Sequence, residues 1–257
     1  MERTMPERLT AEFVGTFTLI FIGVGSIVAM TTFRAMPIGI IGVAIAHGLA
    51  IGTMVTAVGH VSGGHFNPAV TIGAWITQKI KSSHALAYII TQLAGAGAGA
   101  LLLRASLPKE ILEQSTYGVP TVVHPGLSNG QGVLIEFILT FFLVWVIFAS
   151  AIDPEGAFNK IAGLAIGFVI TMDILMGGFF TGAAMNPARH FGPALLSGHW
   201  TDWWVYWVGP VAGAIVAAAL YDGLIIRRPG SAAAEEAPHG VGAHGEDAGR
   251  GGEEPTV

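Results

Sequence analysis

The sequence predicts an all-α membrane protein: six transmembrane helices plus two re-entrant half-helices, arranged as an inverted repeat. Three observations lead there. Hydrophobic residues make up 52% of the 257 and charged residues only 11%, with mean hydropathy +0.63. A soluble domain carries about 25% charged residues, so this balance points to a helical protein that crosses the bilayer several times. Six apolar stretches approach the ~20 residues that a bilayer crossing requires, and two more are about half that long. Finally, Asn-Pro-Ala occurs twice, in matching places of two similar halves.

The elements follow in order. Segment 1–8 is expected to be a short N-terminus on the cytoplasmic side, and 9–226 the membrane-spanning domain. The first span runs from Leu9 to about Met30. It is long and lacks a small-residue cleavage site, so it is expected to stay in the membrane. The second runs from Ile38 to about Val58. After it, Asn67-Pro68-Ala69 opens the short apolar segment Pro68–Ile76. Proline lacks an amide hydrogen and is tolerated at the first helical position, and asparagine before it is a good N-cap. The pair therefore starts a helix inside apolar surroundings. The helix is too short to span, so it is expected to be re-entrant.

Ala85 to about Leu103 is the third span, with Gly95, Gly97 and Gly99 as small packing positions. The Pro- and Gly-containing link from about Ala105 to Gly132 reads as an outer loop over a pore mouth. Val133–Ile152 is the fourth span and Ile161 to about Phe180 the fifth. Gly182-Ala183-Ala184-Met185-Asn186-Pro187-Ala188-Arg189 then opens the second half-helix, Pro187–Leu196. Trp203 to about Ile226 is the sixth span. Residues 227–257, rich in Gly, Ala, Glu and His, read as a disordered cytoplasmic tail.

The two halves, about 9–105 and 129–226, resemble each other. Ala11-Glu12-Phe13-Val14-Gly15-Thr16-Phe17 matches Ile135-Glu136-Phe137-Ile138-Leu139-Thr140-Phe141. Each half has an odd number of full spans, so the second enters from the opposite side. The half-helices then point at each other near the midplane. Arg3, Arg8, Lys79, Lys81, Lys160, Arg227 and Arg228 fall on one side, and Arg34, Arg104, Lys109 and Arg189 on the other. This bias places both termini in the cytoplasm, with the plasma membrane (the cell's inner membrane) as the expected location. Trp200, Trp203, Trp204 and Tyr206 are expected to form an aromatic belt at the outer interface.

Several function classes drop out. With no cysteine there is no disulfide, thiolate nucleophile or cysteine metal site. No His-Glu-x-x-His or Gly-x-Ser-x-Gly occurs, so no enzyme is expected. The tail residues His239 and His244 are too sparse for a metal site; neither metal nor cofactor is expected. Much of the acid lies in the tail, and no basic footprint for nucleic acid appears.

The half-helices carry the expected chemistry. Each turns unpaired amides and a positive dipole end toward the centre. Asn67 and Asn186 cap their helices through the side-chain oxygen and turn their NH₂ groups to the lumen. The carbonyls of Gly63, Gly64, His65, Phe66, Gly182, Ala184 and Met185 are expected to form a ladder of acceptors. Such a conduit holds a water oxygen, suits neutral molecules and repels cations, protons included.

These residues resemble the aquaporin, or major intrinsic protein, family. His60-Val61-Ser62-Gly63-Gly64-His65-Phe66-Asn67-Pro68-Ala69-Val70-Thr71 is similar to its first signature loop. Gly182 to Ala194 is similar to its second, and Tyr206-Trp207-Val208-Gly209-Pro210 also matches. The resemblance covers about Glu7 to Ile226. It implies an aquaporin-like hourglass, a homotetramer with a pore in each subunit, and passive flow of water or small neutral solutes. It also places a selectivity filter at His47, Ile174, Ala183 and Arg189, most like that of plant tonoplast intrinsic proteins, some of which resemble ammonia-passing channels. Glycerol facilitators, the alternative, look to carry an Asp after the filter Arg, where this chain has His190.

Some residues keep two readings. Glu12 and Glu136 are either structural acids, each accepting amides from a re-entrant loop, or a proton pair in an ion-coupled transporter. His47 is either a polar filter wall or a packed histidine bonded to backbone. Asp173 either bonds a loop backbone or adjusts the charge near the filter, and helical geometry turns it away from the lumen face of Ile174. His65 faces the lumen, supplies a carbonyl or gates with pH. His124 either joins the filter from above or is a solvated loop residue.

Overall fold

The computed structural model describes residues 3–32, 39–122, 126–156 and 159–227. Arg34, Ile38, His124, Arg228 and the tail lie outside them. Nine helices are present among the described residues. They are α1 (Met5–Thr32), α2 (Gly39–Ser62), α3 (Pro68–Ile76), α4 (Ser82–Ser106), α5 (Lys109–Gln114), α6 (Asn129–Ile152), α7 (Ala162–Gly177), α8 (Pro187–Ser197) and α9 (Val205–Ile226). Five are long and apolar enough to cross a membrane: α1, α2, α4, α6 and α9. At the fifth expected span, α7 has 16 regular residues, or about 24 Å of rise, and is flanked by a 3₁₀ turn at Asn159–Ile161 and by turns at its far end.

Polar caps extend several helices beyond their apolar cores. The Thr4 amide donates to the Glu7 carboxylate at 2.7 Å, so α1 starts before Leu9. Ser128 and Gln131 cap each other at the start of α6, ahead of Val133. Hydropathy alone misses these turns because capping residues are polar. The outer link is partly helical, with α5 followed by a 3₁₀ turn at Thr116–Gly118.

The packing follows the repeat. In the first half α1 lies against α4 and α2; in the second, α6 lies against α9 and α7. Helices α2 and α7 join the halves through Gly48 and Gly52 on one side and Gly163 and Gly167 on the other, each glycine facing a backbone carbonyl of the opposing helix. Any side chain at these four positions would separate the backbones. Each half-helix crosses to the other half: α3 packs on α9, with Gly73 against the Ala214 carbonyl, and α8 packs on α4, with Gly192 against the Ala96 carbonyl. The two halves are thus interlocked. Leu49, Leu164 and Phe168 remain more than half exposed, as a lipid- or subunit-facing surface requires. Trp203 is half exposed, but Tyr206 is fully buried and is no part of an outer belt; its hydroxyl is used inside the protein.

Gly209 and Gly213 pack α9 on α6, where a side chain at Gly213 would press on the Phe137 carbonyl. Gly213→Val is expected to destabilise the protein by about 2 kcal/mol through overpacking. Thermal unfolding in detergent checks this, with a lower midpoint expected.

Candidate functional site

The two loops before the half-helices meet at the centre of the fold. Each begins where a helix, α2 or α7, ends, and neither is helical, because both contain residues with left-handed backbone. Gly63, Gly64 and Phe66 have φ of 98°, 66° and 49°; Gly182, Ala183 and Met185 have φ of 81°, 43° and 52°. Positive φ at Phe66, Ala183 and Met185 costs about 1–3 kcal/mol each and persists only where other contacts hold it.

Two buried carboxylates do the holding. Glu12 accepts the amides of His65 (3.0 Å) and Phe66 (2.8 Å), the Ser62 hydroxyl (2.6 Å) and the Gln92 amide (2.8 Å). Glu136 accepts the amides of Ala184 (2.9 Å) and Met185 (2.7 Å) and the Thr181 hydroxyl (2.6 Å). The Tyr88 hydroxyl donates to the Ser62 carbonyl and the Tyr206 hydroxyl to the Thr181 carbonyl, both at 2.8 Å. The two anchors are the same device, repeated. Sequence reasoning reached the acids but not Ser62, Thr181, Tyr88 or Tyr206. Aligning the halves through the Asn-Pro-Ala motifs pairs Ser62 with Thr181, but it sets Tyr88 opposite Trp207, one residue past Tyr206.

Each asparagine closes its own helix and the opposite loop together. Asn67 Oδ1 accepts from the Ala69 amide (2.8 Å), and its Nδ2 donates to the Met185 carbonyl (2.8 Å). Asn186 Oδ1 accepts from the Ala188 amide (2.9 Å), and its Nδ2 donates to the Phe66 carbonyl (3.0 Å). One N–H of each NH₂ is therefore used across the interface, and one remains. The expected ladder of free carbonyls is correspondingly shorter: Phe66 and Met185 each accept an asparagine. The carbonyls of Gly63, Gly64, His65, Gly182 and Ala184 accept from no donor among the described residues.

A cavity lies beside this junction. Gly64, His65, Asn67, Ala183, Ala184, Met185, Asn186 and Arg189 bound it on the loop side. Leu19, Ile51, Val70, Leu143, Ile147, Ile166, Ile170 and Ile174 form an apolar wall. Gly63 and Phe66 do not bound it, and the Phe66 ring packs away against Gly15 of α1. An outer cavity follows, bounded by Gly118, Val119, Pro120 and Gly182 among others. His47, Ile174 and Arg189 bound both cavities and stand between them, with Ala183 beside them on the inner side.

Arg189 is 3% exposed, and its Nη1 donates to the Gly118 carbonyl at 3.2 Å. The outer link thus fixes the guanidinium, a partner the sequence did not disclose. His47 Nδ1 donates to the Val43 carbonyl at 2.9 Å; a carbonyl can only accept, which assigns the proton to that nitrogen. Its Nε2 is buried and has no hydrogen-bond partner among the described residues. His47 is thus bonded to backbone, and it also lines both cavities. His65 bounds the cavity and bonds Thr71 through Nδ1. Asp173 is buried, bounds neither cavity, and bonds no loop backbone; its Oδ2 is unpartnered among the described residues. No grouping of His, Asp and Glu suited to a metal occurs among the described residues.

The profile of the Major intrinsic protein family matches residues 2–221. A curated relative, "Probable aquaporin TIP3-2" of Arabidopsis thaliana, is 44% identical over 241 residues, covering 88% of this chain and 87% of its own. "Aquaporin-4" of Mus musculus is 42% identical over 215 residues, covering 83% and 66%. Among solved structures, the aquaglyceroporin from Plasmodium falciparum superposes with a TM-score of 0.77 at 26% identity, covering 87% of this chain and 98% of that one. The chain belongs to the major intrinsic protein family, whose members are membrane channels.

The Glu136 anchor can be tested directly. Glu136→Gln places an NH₂ where three donors converge, so at least one buried donor loses its acceptor, at a cost on the order of 3 kcal/mol. The midpoint of thermal unfolding and the water permeability per reconstituted channel are both expected to fall. An unchanged midpoint would contradict the anchoring role.

Proposed function

We propose that the protein is a passive channel for water, passing ammonia and other small neutral solutes as well, while excluding protons and ions. The observation that carries this reading is the reciprocal junction of Asn67 and Asn186 with the opposing loops. It leaves N–H donors and two positive helix ends beside a lumen whose opposite wall is apolar. A water there gives its oxygen to the asparagines and finds few acceptors around it. Its bonds to its neighbours then run outward on both sides, which interrupts a proton relay. A cation meets the positive ends of both half-helices and, at the constriction, Arg189.

His47, Ile174, Ala183 and Arg189 form the selectivity filter in this proposal. Arg189 supplies donors and charge; Ile174 and Ala183 make two sides apolar, and His47 sets the width. The free carbonyls of Gly64, His65 and Ala184 guide solutes on either side of the centre. Glu12 and Glu136 serve as loop anchors, because their oxygens are committed to loop donors rather than placed along the lumen. The work of the protein is then conduction rather than catalysis.

We place both termini in the cytoplasm, in keeping with the basic residues at that end, with the channel domain at 9–226 and the tail at 227–257. The plasma membrane is the proposed location; the likeness to TIP aquaporins makes an internal membrane the location to test beside it. The exposed apolar faces are proposed to join in a homotetramer.

Stopped-flow swelling of reconstituted vesicles with water, glycerol and methylammonium, which crosses as its uncharged form methylamine, tests the filter. His47→Ala removes the ring from the constriction, so glycerol and methylammonium flux are expected to rise several-fold relative to water. If neither water nor methylammonium responds, the filter assignment is wrong.

A further inference from the structure

We infer that Gly23, in the first transmembrane helix, is an additional selectivity-determining position, acting through His47. This rests on the filter reading above and extends it to a residue outside the filter ring. Gly23 lies in a π-helical turn of α1, Leu19–Val24. A Cβ built on it would lie 2.7 Å from both Nε2 and Cδ2 of His47 and 3.1 Å from Cε1. Ordinary contact begins near 3.4 Å. The imidazole therefore rests its edge in the space where any other residue would carry a side chain.

The repeat shows what that space is for. Aligned through Glu12 and Glu136, Leu19 corresponds to Leu143 and Gly23 to Ile147. Aligned through Asn67 and Asn186, Ile51 corresponds to Ile170 and His47 to Ile166. In the second half both counterparts, Ile147 and Ile166, present side chains to the lumen wall. In the first half Gly23 presents none, and His47 takes up the room.

The ring is hydrogen-bonded through one nitrogen only. Its Nδ1 is tied to the Val43 carbonyl, while Nε2 has no partner among the described residues. Packing against Gly23 therefore bears directly on how far the ring reaches between the two cavities. A methyl at Gly23 must displace the ring edge by about 0.7 Å, the gap between the 2.7 Å and 3.4 Å contacts. In this proposal the displaced ring leans toward Ile174 and Arg189, which line the same two cavities. Gly23 is thus a positioning residue: it meets no solute itself and sets the reach of one that does.

A double-mutant cycle reads this out in reconstituted vesicles, with water and methylammonium permeability normalised to protein content. In Gly23→Ala, methylammonium flux is expected to fall at least five-fold and water flux less, so their ratio shifts. In His47→Ala, adding Gly23→Ala is expected to change neither flux by more than about two-fold, because the ring is gone. Equal losses with and without the His47 ring would overturn the proposal, as would an unchanged ratio in the single variant. If Gly23→Ala fails to assemble, assembly restored by His47→Ala supports it, and failure in both backgrounds overturns it. The filter reading fails separately, by the lack of any response to His47→Ala alone.

Discussion

Loops at membrane depth must find partners for their amides inside the protein, and two carboxylates meet that demand here. Lipid offers no hydrogen bonds, so each unpaired N–H there is costly. Glu12 and Glu136 sit on helices α1 and α6, which are long and apolar enough to cross the membrane. Each accepts two consecutive loop amides and a hydroxyl. This commits the residues before each asparagine to left-handed backbone and fixes where each half-helix begins. The asparagines then reach across and tie one loop to the other. A buried acid is an unusual choice, since desolvation opposes its charge. It is stable here because several donors converge on it, as a neutral side chain could not arrange.

From that constraint the conduit follows. The same backbone that needs an anchor on one face leaves carbonyls free on the other. The helix starts it positions are short, so their positive ends fall near the middle of the fold rather than at its surface. Interlocking through α3 on α9 and α8 on α4 then makes the junction part of the packing of both halves. Glycines at the helix crossings let the long helices close around it. Polar chemistry thus sits on one side of the lumen, and the other side is made of Leu, Ile and Val. A water file has little to adhere to along such a wall, which favours fast passage.

Much of this was legible in the sequence. The Asn-Pro-Ala pair, the odd number of spans in each half and the Glu12/Glu136 match define the architecture, because each is a local rule applied twice. Arg189 stood out because an arginine inside an apolar segment needs a reason. Less legible were features that depend on distance between remote segments. The Gly118 carbonyl that receives Arg189 comes from a link with no pattern of its own. The crossing of each half-helix to the opposite half has no sequence signal beyond small residues such as Gly73 and Gly192. Tyr206 reads as an interfacial aromatic by its company of tryptophans, yet it is buried because its hydroxyl has a loop carbonyl to serve. Asp173 kept two readings, a bond to a loop backbone or a charge beside the filter, and among the described residues no loop amide bonds it.

The central claim is that two opposed helix starts, joined by their asparagines, let neutral molecules pass while breaking any relay of protons. The most direct test measures osmotic water flow and proton flux on the same reconstituted vesicles across a range of protein densities. Water permeability should rise in proportion to protein, with an activation energy close to that of bulk water movement, while proton permeability stays at the level of protein-free lipid. Proton flux that climbs with protein density alongside water would contradict the account.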